Sequence, residues 1–242
     1  KAPHSPIVVP PPSQGVLNAL TGYGLPAGAP VLDRLGAYLR VLLETNQAFN
    51  LTAVTDPDTA WSRHIEDSLS VLPWIAIAPD GPVADVGSGG GLPAIPLAIA
   101  LPDRRFTLVE ATGKKAAFLR DVAAELGLRN VQVEHARIED FGQAPAARER
   151  FSVATSRALS RLPVLLELTL PLLAVRGHAL AIKGEQAPDE VAESARALEL
   201  LGGEHMDCIR TPTGTIVRTR KVRPTPKRYP RRPGEPKRAP LT

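Results

Sequence analysis

The stretch VADVGSGGGLP, residues 83–93, constrains the fold more than any other part of this 242-residue chain. Val83, Ala84 and Val86 read as the end of a buried strand. Gly87, Gly89, Gly90 and Gly91 then turn the chain, and residues 92–100 (LPAIPLAIA) open an apolar helix. A strand, a glycine turn and a helix make a nucleotide-cofactor loop in many α/β proteins, because glycine lets the backbone approach a ligand. Two residues complicate a dinucleotide reading: Asp85 sits two positions before the first glycine, and Leu92 occupies the third-glycine position of G-x-G-x-x-G.

Around this loop the pattern alternates. Strands are expected at 83–87, 105–110, 131–135, 151–156 and 178–183, with helices at 92–100, 113–127, 163–174 and 187–201. Short β-rich runs interleaved with helices indicate a doubly wound, mostly parallel sheet. Two further strands, 204–210 and 215–222, flank Pro212-Thr213-Gly214 and should form a hairpin at one sheet edge. Seven strands ending in a hairpin differ from the six parallel strands of a dinucleotide fold. Upstream, Leu32, Leu35, Leu39, Leu42 and Leu43 share one helical face, and Asp56-Pro57 should start a second helix running toward Leu72. Residues 1–30, with seven prolines, are expected to be a flexible leader. The organisation is therefore a leader (1–30), a helical N-terminal extension (31–80), an α/β cofactor domain (81–223) and a basic flexible tail (224–242).

Composition excludes several classes. Aromatics make up 4% of the chain, which argues against a stacked-aromatic RNA-recognition surface. A single cysteine, Cys208, forbids an internal disulfide, and no Cys/His cluster has metal-ligand spacing. No apolar run is long enough for a membrane span and none resembles a signal peptide, so a cytoplasmic protein is expected. The chain begins at Lys1 rather than Met, so some preceding sequence is expected to be missing. Charge is unevenly spread: residues 218–242 hold ten Lys/Arg and one acid, leaving nineteen bases against twenty-four acids in 1–217. An acidic body with a basic tail points to a polyanionic partner or, more blandly, to a solvated end.

The ligand can be narrowed by charge. A carboxylate at Asp85 opposes a pyrophosphate but favours a ligand bearing an amine and a sulfonium. Leu92 in place of glycine removes the close helix–strand approach of dinucleotide loops. Glu110 ends the second strand, where a carboxylate can accept from both ribose hydroxyls of an adenosine. These features favour S-adenosylmethionine over NAD, although Glu110 alone specifies adenosine without choosing the cofactor.

NLTAV (50–54), RHIEDSL (63–69), DVGSGGGLPAIPLAI (85–99), LVEATGKKAAFL (108–119), ARIEDF (136–141), SRAL (156–159), AIKG (181–184) and the tail TPKRYPRRPGEPKRAPL (225–241) occur in this order. With these pieces the chain resembles the bacterial small-subunit ribosomal RNA guanine-N7 methyltransferases, the glucose-inhibited division protein B family. Ser88 for Thr and Gly90 for Pro are mild departures. The resemblance implies a seven-stranded, Rossmann-like methyltransferase sheet with S-adenosylmethionine as cofactor. It also implies action on 16S ribosomal RNA, naked or in a small-subunit particle; a monomer is expected.

The cofactor-binding residues expected on this basis are Asp85, Gly87, Gly89, Gly91, Leu92, Glu110, Ile138, Glu139 and Arg157, with no metal. Ile138 and Glu139 are implied by the resemblance to bracket the adenine; read alone they are a core and a surface residue. Arg157, which the family places at the cofactor, could pair with the methionine carboxylate, a protein carboxylate or an RNA phosphate. Arg157 and Lys183, at adjacent strand ends, are expected to be the catalytic cations. His64, Asp67 and Ser68 share a helix face and serve either helix-to-domain bonding or ligand contact. Lys114 and Lys115 begin a helix against its dipole and serve phosphate contact or are a solvated pair. No cysteine nucleophile lies near the loop, and SRAL replaces the motif common to exocyclic-amine enzymes. Guanine N7, an unprotonated lone pair, needs no general base, so it is permitted. The competing readings are an NAD-dependent oxidoreductase and a non-catalytic RNA-binding factor.

Overall fold

The computed structural model describes residues 7–25 and 28–242. Helices α1 (Gln14–Gly22), α2 (Ala29–Asn46), α3 (Pro57–Ala60), α4 (Asp67–Leu69) and α5 (Leu72–Ala76) precede the first strand, with a π-helical stretch, Trp61–Glu66, joining α3 to α4. The sheet follows: β1 (Val83–Val86), β2 (Phe106–Glu110), β3 (Val131–His135), β4 (Phe151–Arg157), β5 (Leu173–Lys183), β6 (Gly203–Thr211) and β7 (Gly214–Lys221). Between strands run α6 (Ala94–Ala100), α7 (Gly113–Glu125), α8 (Ile138–Gln143), α9 (Leu162–Thr169), α10 (Ala187–Ala192) and α11 (Ala195–Leu201); α12 (Glu235–Arg238) closes the chain.

The strands lie in the order β3-β2-β1-β4-β5-β7-β6, with β7 antiparallel to both neighbours and every other pairing parallel. This is the expected seven-stranded, mostly parallel sheet ending in a hairpin. All four residues of β1 are buried, as a central parallel strand covered by helices on both faces requires. One apolar cluster joins the N-terminal helices to α6 and α7, and a second packs α9 and α11 under β4 and β5.

Boundaries differ from the sequence reading at three places. The helix expected over 163–174 ends at Thr169, and the chain turns through Leu170–Leu172 into an early-starting β5. The helix expected over 187–201 breaks into α10 and α11 around Glu193-Ser194. The expected leader, over its described residues, is docked instead of loose. The Ser13 side chain caps α1, Val16 and Leu20 are buried, and Trp61 Nε1 donates to Pro10 O at 2.7 Å. An i, i+4 apolar pair behind a serine cap suffices for one short helix when a tertiary surface receives it. Residues 1–6, 26 and 27 of that leader lie outside the described residues.

The tail differs most. Residues 224–242 do not hang free: Tyr229 and Pro236 are buried, and the Arg148 guanidinium donates to Thr225 O and Tyr229 O at 2.7 and 2.6 Å. Proline density rules out a long helix but not an extended strap fixed by side chains from the body.

Candidate active site

A cavity of about 640 Å³ opens beyond the carboxyl ends of β1, β2 and β4, where the strand order reverses. That is where the topology of an open α/β sheet places a ligand. Its walls come from the loop after β1, the end of β2, the start of α8 and the turn after β4. Gly87, Gly89, Leu92, Glu110, Ile138, Glu139 and Arg157, all expected at a cofactor site, line it together.

The glycines here are required by geometry. Gly87, Gly89 and Gly91 have φ of 70°, 55° and 93°, in the left-handed region that side chains disfavour. At Gly87 a Cβ would also come within 2.5 Å of Leu159 Cδ1, because the turn after β4 folds over the loop. Gly91 faces inward instead, where a Cβ would meet Ile95 Cγ1 at 2.6 Å. It is therefore a packing residue and not part of the cavity wall. Tyr38, fully buried on α2, donates to Gly90 O at 2.8 Å and ties the loop to the N-terminal helices.

Glu110 accepts from the Gly89 amide (2.9 Å) through Oε2 and from the Thr112 amide (2.7 Å) through Oε1. Those two bonds fix the carboxylate at the cavity wall. Each oxygen retains accepting capacity, so a pair of vicinal hydroxyls has a match there.

Asp85 departs from the expectation. It lies in β1 beneath the loop, 1% exposed, and does not line the cavity. Its Oδ1 accepts from Thr155 Oγ1 on the neighbouring strand at 2.7 Å, while Oδ2 has no partner among the described residues. Burial pushes its carboxyl up to about 7, although the Thr155 hydrogen bond acts the other way; the Ser88 hydroxyl donates to the Asp85 backbone carbonyl at 3.1 Å. Burial thus favours the neutral carboxyl well beyond the range of an exposed aspartate. Any attraction it exerts on a cationic ligand acts through the loop and not by contact.

Arg157, at the end of β4, is the hub of a polar chain. Its Nε lies 3.2 Å from Asp67 Oδ2, and Nη2 lies 3.2 Å from His64 Nδ1. His64 Nε2 is in turn 3.0 Å from Thr52 Oγ1, and Asp67 Oδ1 accepts from Thr213 Oγ1 at 2.5 Å. Burial, then the Arg157 cation, lowers the His64 pKa to about 4. The imidazole is therefore neutral at physiological pH, and its Nδ1 lies between the Arg157 guanidinium and the Arg63 carbonyl, 3.1 Å away, so the tautomer decides which of the two it bonds. Of the two uses open for the His64–Asp67–Ser68 face, His64 and Asp67 show helix-to-sheet bonding. Ser68 Oγ is buried with no partner among the described residues. Arg157 Nη1 is likewise buried and unpartnered, and the residue faces the cavity.

Lys183 does not line the cavity itself; it lines a smaller hollow beside it, together with Arg63 and Arg157. Its ammonium lies 2.8 Å from Glu190 Oε2 and donates to Ser160 O at 2.6 Å, while the same Glu190 oxygen accepts from the Leu162 amide at 2.6 Å. Its charge is thus paired with Glu190, and the ammonium clamps the turn covering Gly87. Of the lysine pair opening α7, Lys115 lines the cavity and Lys114 is exposed outside it.

Several cavity residues escaped sequence reasoning. Leu51, Thr52, Ala53 and Val54 line it, although NLTAV served only as a marker of resemblance. Arg63 and Leu159 line it too. Gly234, Pro236 and Lys237 arrive from the supposedly free tail, and the Gly234 amide donates to Glu139 Oε1 at 2.9 Å. Glu139, read alone as a surface acid, is 8% exposed for this reason. Only its place beside Ile138 in ARIEDF hinted at this.

A reversed-order parallel sheet, a left-handed glycine loop and an acid at the next strand end define a Rossmann-like, nucleoside-binding α/β protein of methyltransferase type. A solved structure of a SAM-dependent methyltransferase from Aquifex aeolicus shares this fold, with a TM-score of 0.54 over 69% of this chain and 94% of that one at 18% identity. The sequence is more specific. Residues 32–214 match the family described as rRNA small subunit methyltransferase G, and the chain belongs to that family. A ribosomal RNA small subunit methyltransferase G of Sorangium cellulosum is 44% identical over 91% of this chain and 92% of its own length. One from Chloroflexus aggregans is 43% identical over 93% of this chain and 97% of its own.

Proposed function

We infer that this chain transfers a methyl group from S-adenosylmethionine to N7 of a guanosine in 16S ribosomal RNA. The observation that carries this reading is the convergence of the loop, Glu110, Ile138–Glu139 and Arg157 on one cavity at the switch point, in a member of a small-subunit rRNA methyltransferase family. The residues suit the cofactor. Glycine amides and Glu110 would hold the adenosine ribose, Ile138 would pack on the base, and the Arg157 guanidinium, which lines the cavity, would meet the methionine carboxylate.

Bound there, the cofactor's sulfonium supplies an electrophilic methyl, so that transfer to N7 leaves a thioether and a cationic purine with no proton to move. The chain's task is alignment, with reacting atoms brought to about 3–3.5 Å in line. Among the described residues, His64 and Asp67 are not free to act as bases: both His64 nitrogens face partners, and Asp67 is held by Arg157 and Thr213. An adjoining hollow of about 250 Å³ shares Arg63, Arg157 and Ala158 with the cavity, and it is the entry we assign to the base. Lys183 serves this reaction as a positioning residue.

We further infer a monomer in the cytoplasm, working on ribosomal RNA or the small-subunit particle. The edge strand β6 carries Glu204, Asp207 and Arg210, charges that discourage edge-to-edge pairing. No described helix is long and apolar enough to cross a membrane.

Incubating the protein with 16S rRNA and labelled methyl donor tests the reading. Label should appear in RNA with the wild-type chain and fall sharply with Arg157→Ala. Tight NAD binding without binding of S-adenosylhomocysteine would instead restore the oxidoreductase. RNA binding without any transfer would restore the assembly factor.

A further inference from the structure

The C-terminal segment is anchored first and reaches the cavity second. Thr225 Oγ1 donates to Leu201 O at 2.7 Å, and Gln143 Nε2 donates to Pro230 O at 2.7 Å. Arg231 then closes on Glu167, which is 0% exposed: its amide, Nε and Nη2 reach the carboxylate at 2.8, 2.9 and 2.6 Å. A buried carboxylate with three donors from one residue is a fixed point, not a surface contact.

Beyond that point the chain turns at Gly234, φ 83°, whose amide is taken by Glu139, and Pro236 is buried. Gly234, Pro236 and Lys237 stand in the wall beside Ile138 and Glu139. The same turn shows charge outward, since Lys237 and Arg238 are exposed, as is Arg232 just before it. One short segment thus has one face toward the cofactor cavity and the other available to a polyanion.

We propose that residues 234–238 are a built part of the cofactor site, and that RNA held by this segment's cations tightens cofactor binding through it. The proposal rests on the reading of the cavity as the S-adenosylmethionine site. The physical link is that a wall residue contributes to affinity only while it is docked. Any RNA contact that favours the docked segment therefore favours the cofactor, and by reciprocity the cofactor favours RNA. The coupling needs no large motion, only a docked population that RNA can raise.

The test compares the full chain with one ending at Pro233, which keeps Thr225 and Tyr229 on their anchors and Arg231 on Glu167, losing only its bond to Ala239 O. Titration of S-adenosylhomocysteine, without RNA, should show the shortened chain binding at least about tenfold more weakly. Its ligand-free melting should change little. In the full chain, saturating S-adenosylhomocysteine should tighten binding of a 16S rRNA fragment by about fivefold or more, an effect absent from the shortened chain.

Equal cofactor-product affinity in the two chains overturns the proposal. So does an RNA affinity indifferent to the ligand in the full chain. Should the shortened chain fail to fold, Gly234→Ala in the full chain decides. A Cβ there meets nothing within 4 Å, but φ of 83° disfavours it, so the turn alone is perturbed. Weaker ligand binding at unchanged melting then supports the proposal, and unchanged binding overturns it. If the full chain does not bind S-adenosylhomocysteine, the cofactor reading itself has failed, and the proposal falls with it.

Discussion

Two walls of the cavity are built by different physics. The glycine loop is shaped by its own backbone: three left-handed glycines, an amide taken by Glu110 and a carbonyl held by Tyr38 keep it in place. The C-terminal wall has little shape of its own. It is held by long-range anchors, Arg148 and Gln143 on its carbonyls and Glu167 on Arg231. A wall of the first kind is rigid and tolerates no side chain. A wall of the second kind can be loosened one anchor at a time, which makes it the natural place for a second ligand to act.

The loop side should give the largest effects. Gly87→Val places a branched side chain at φ 70° against Leu159, and cofactor-product binding should weaken by at least about 100-fold in calorimetry while the far-ultraviolet spectrum is kept. Binding within threefold of wild type would mean that this backbone is not the ligand's rest. Arg157→Ala should lower kcat by about 100-fold through lost alignment. It should also lower stability by about 1–3 kcal/mol, because buried Asp67 and His64 lose their donor. Arg157→Lys should recover part of the stability and little of the rate, since an ammonium cannot serve Asp67, His64 and a ligand at once. Equal recovery of both would make Arg157 purely structural.

On the tail side the expected effect is smaller and depends on salt. Five of its cations, Lys227, Arg228, Arg232, Lys237 and Arg238, are exposed, whereas Arg231 is spent on Glu167. Changing those five to glutamine should reduce the slope of log RNA affinity against log salt by roughly three to four, with the modified nucleotide unchanged. An unchanged slope would reduce the tail to a wall without an outer function, and the contrast between the two regions would lose half its content.

The smallest effect tests the buried acid under the loop. The Asp85 carboxyl is held up to about 7, so the stability linked to it is present below its unfolded pKa, about 4, and lost as pH rises through 7. Asp85→Asn should therefore leave melting unchanged in acid and raise it at pH 8, by about 2–4 °C for each kcal/mol recovered. His64 acts in the opposite sense: its pKa is lowered to about 4, so its contribution is present above about 6.5 and lost as pH falls toward 4. The two partly offset in the wild type, and the Asn variant exposes the His64 limb. A variant whose melting at pH 8 does not rise would show Asp85 to be stably paired in the folded chain.

The sheet, its edge hairpin and the loop were legible because their causes are local. β1 is an unbroken buried run, Gly87–Gly91 has no alternative to a turn, and Glu110 ends a strand that its own residues define. The docked tail was illegible because its causes are distant. Nothing in 224–242 announces that Arg148, Gln143, Glu139 and Glu167 wait for it, and its prolines and cations resemble a solvated end. The ion pair of Lys183 was illegible for a related reason. Its strand end was placed correctly, but its partner Glu190 comes from a helix whose contact depends on tertiary packing. Asp85 shows a third kind of limit: the sequence places the acid but not the burial that raises its pKa.

The central claim is methyl transfer to a guanine N7, and N7-methylguanosine has a chemical signature that no other simple base methylation shares. Borohydride reduction followed by aniline cleaves the RNA at that nucleotide. 16S rRNA treated with the wild-type chain and S-adenosylmethionine should be cut at a single guanosine, and RNA treated with Gly87→Val should stay whole there. Label incorporated without such a cut, or cuts scattered over many guanosines, would contradict the account.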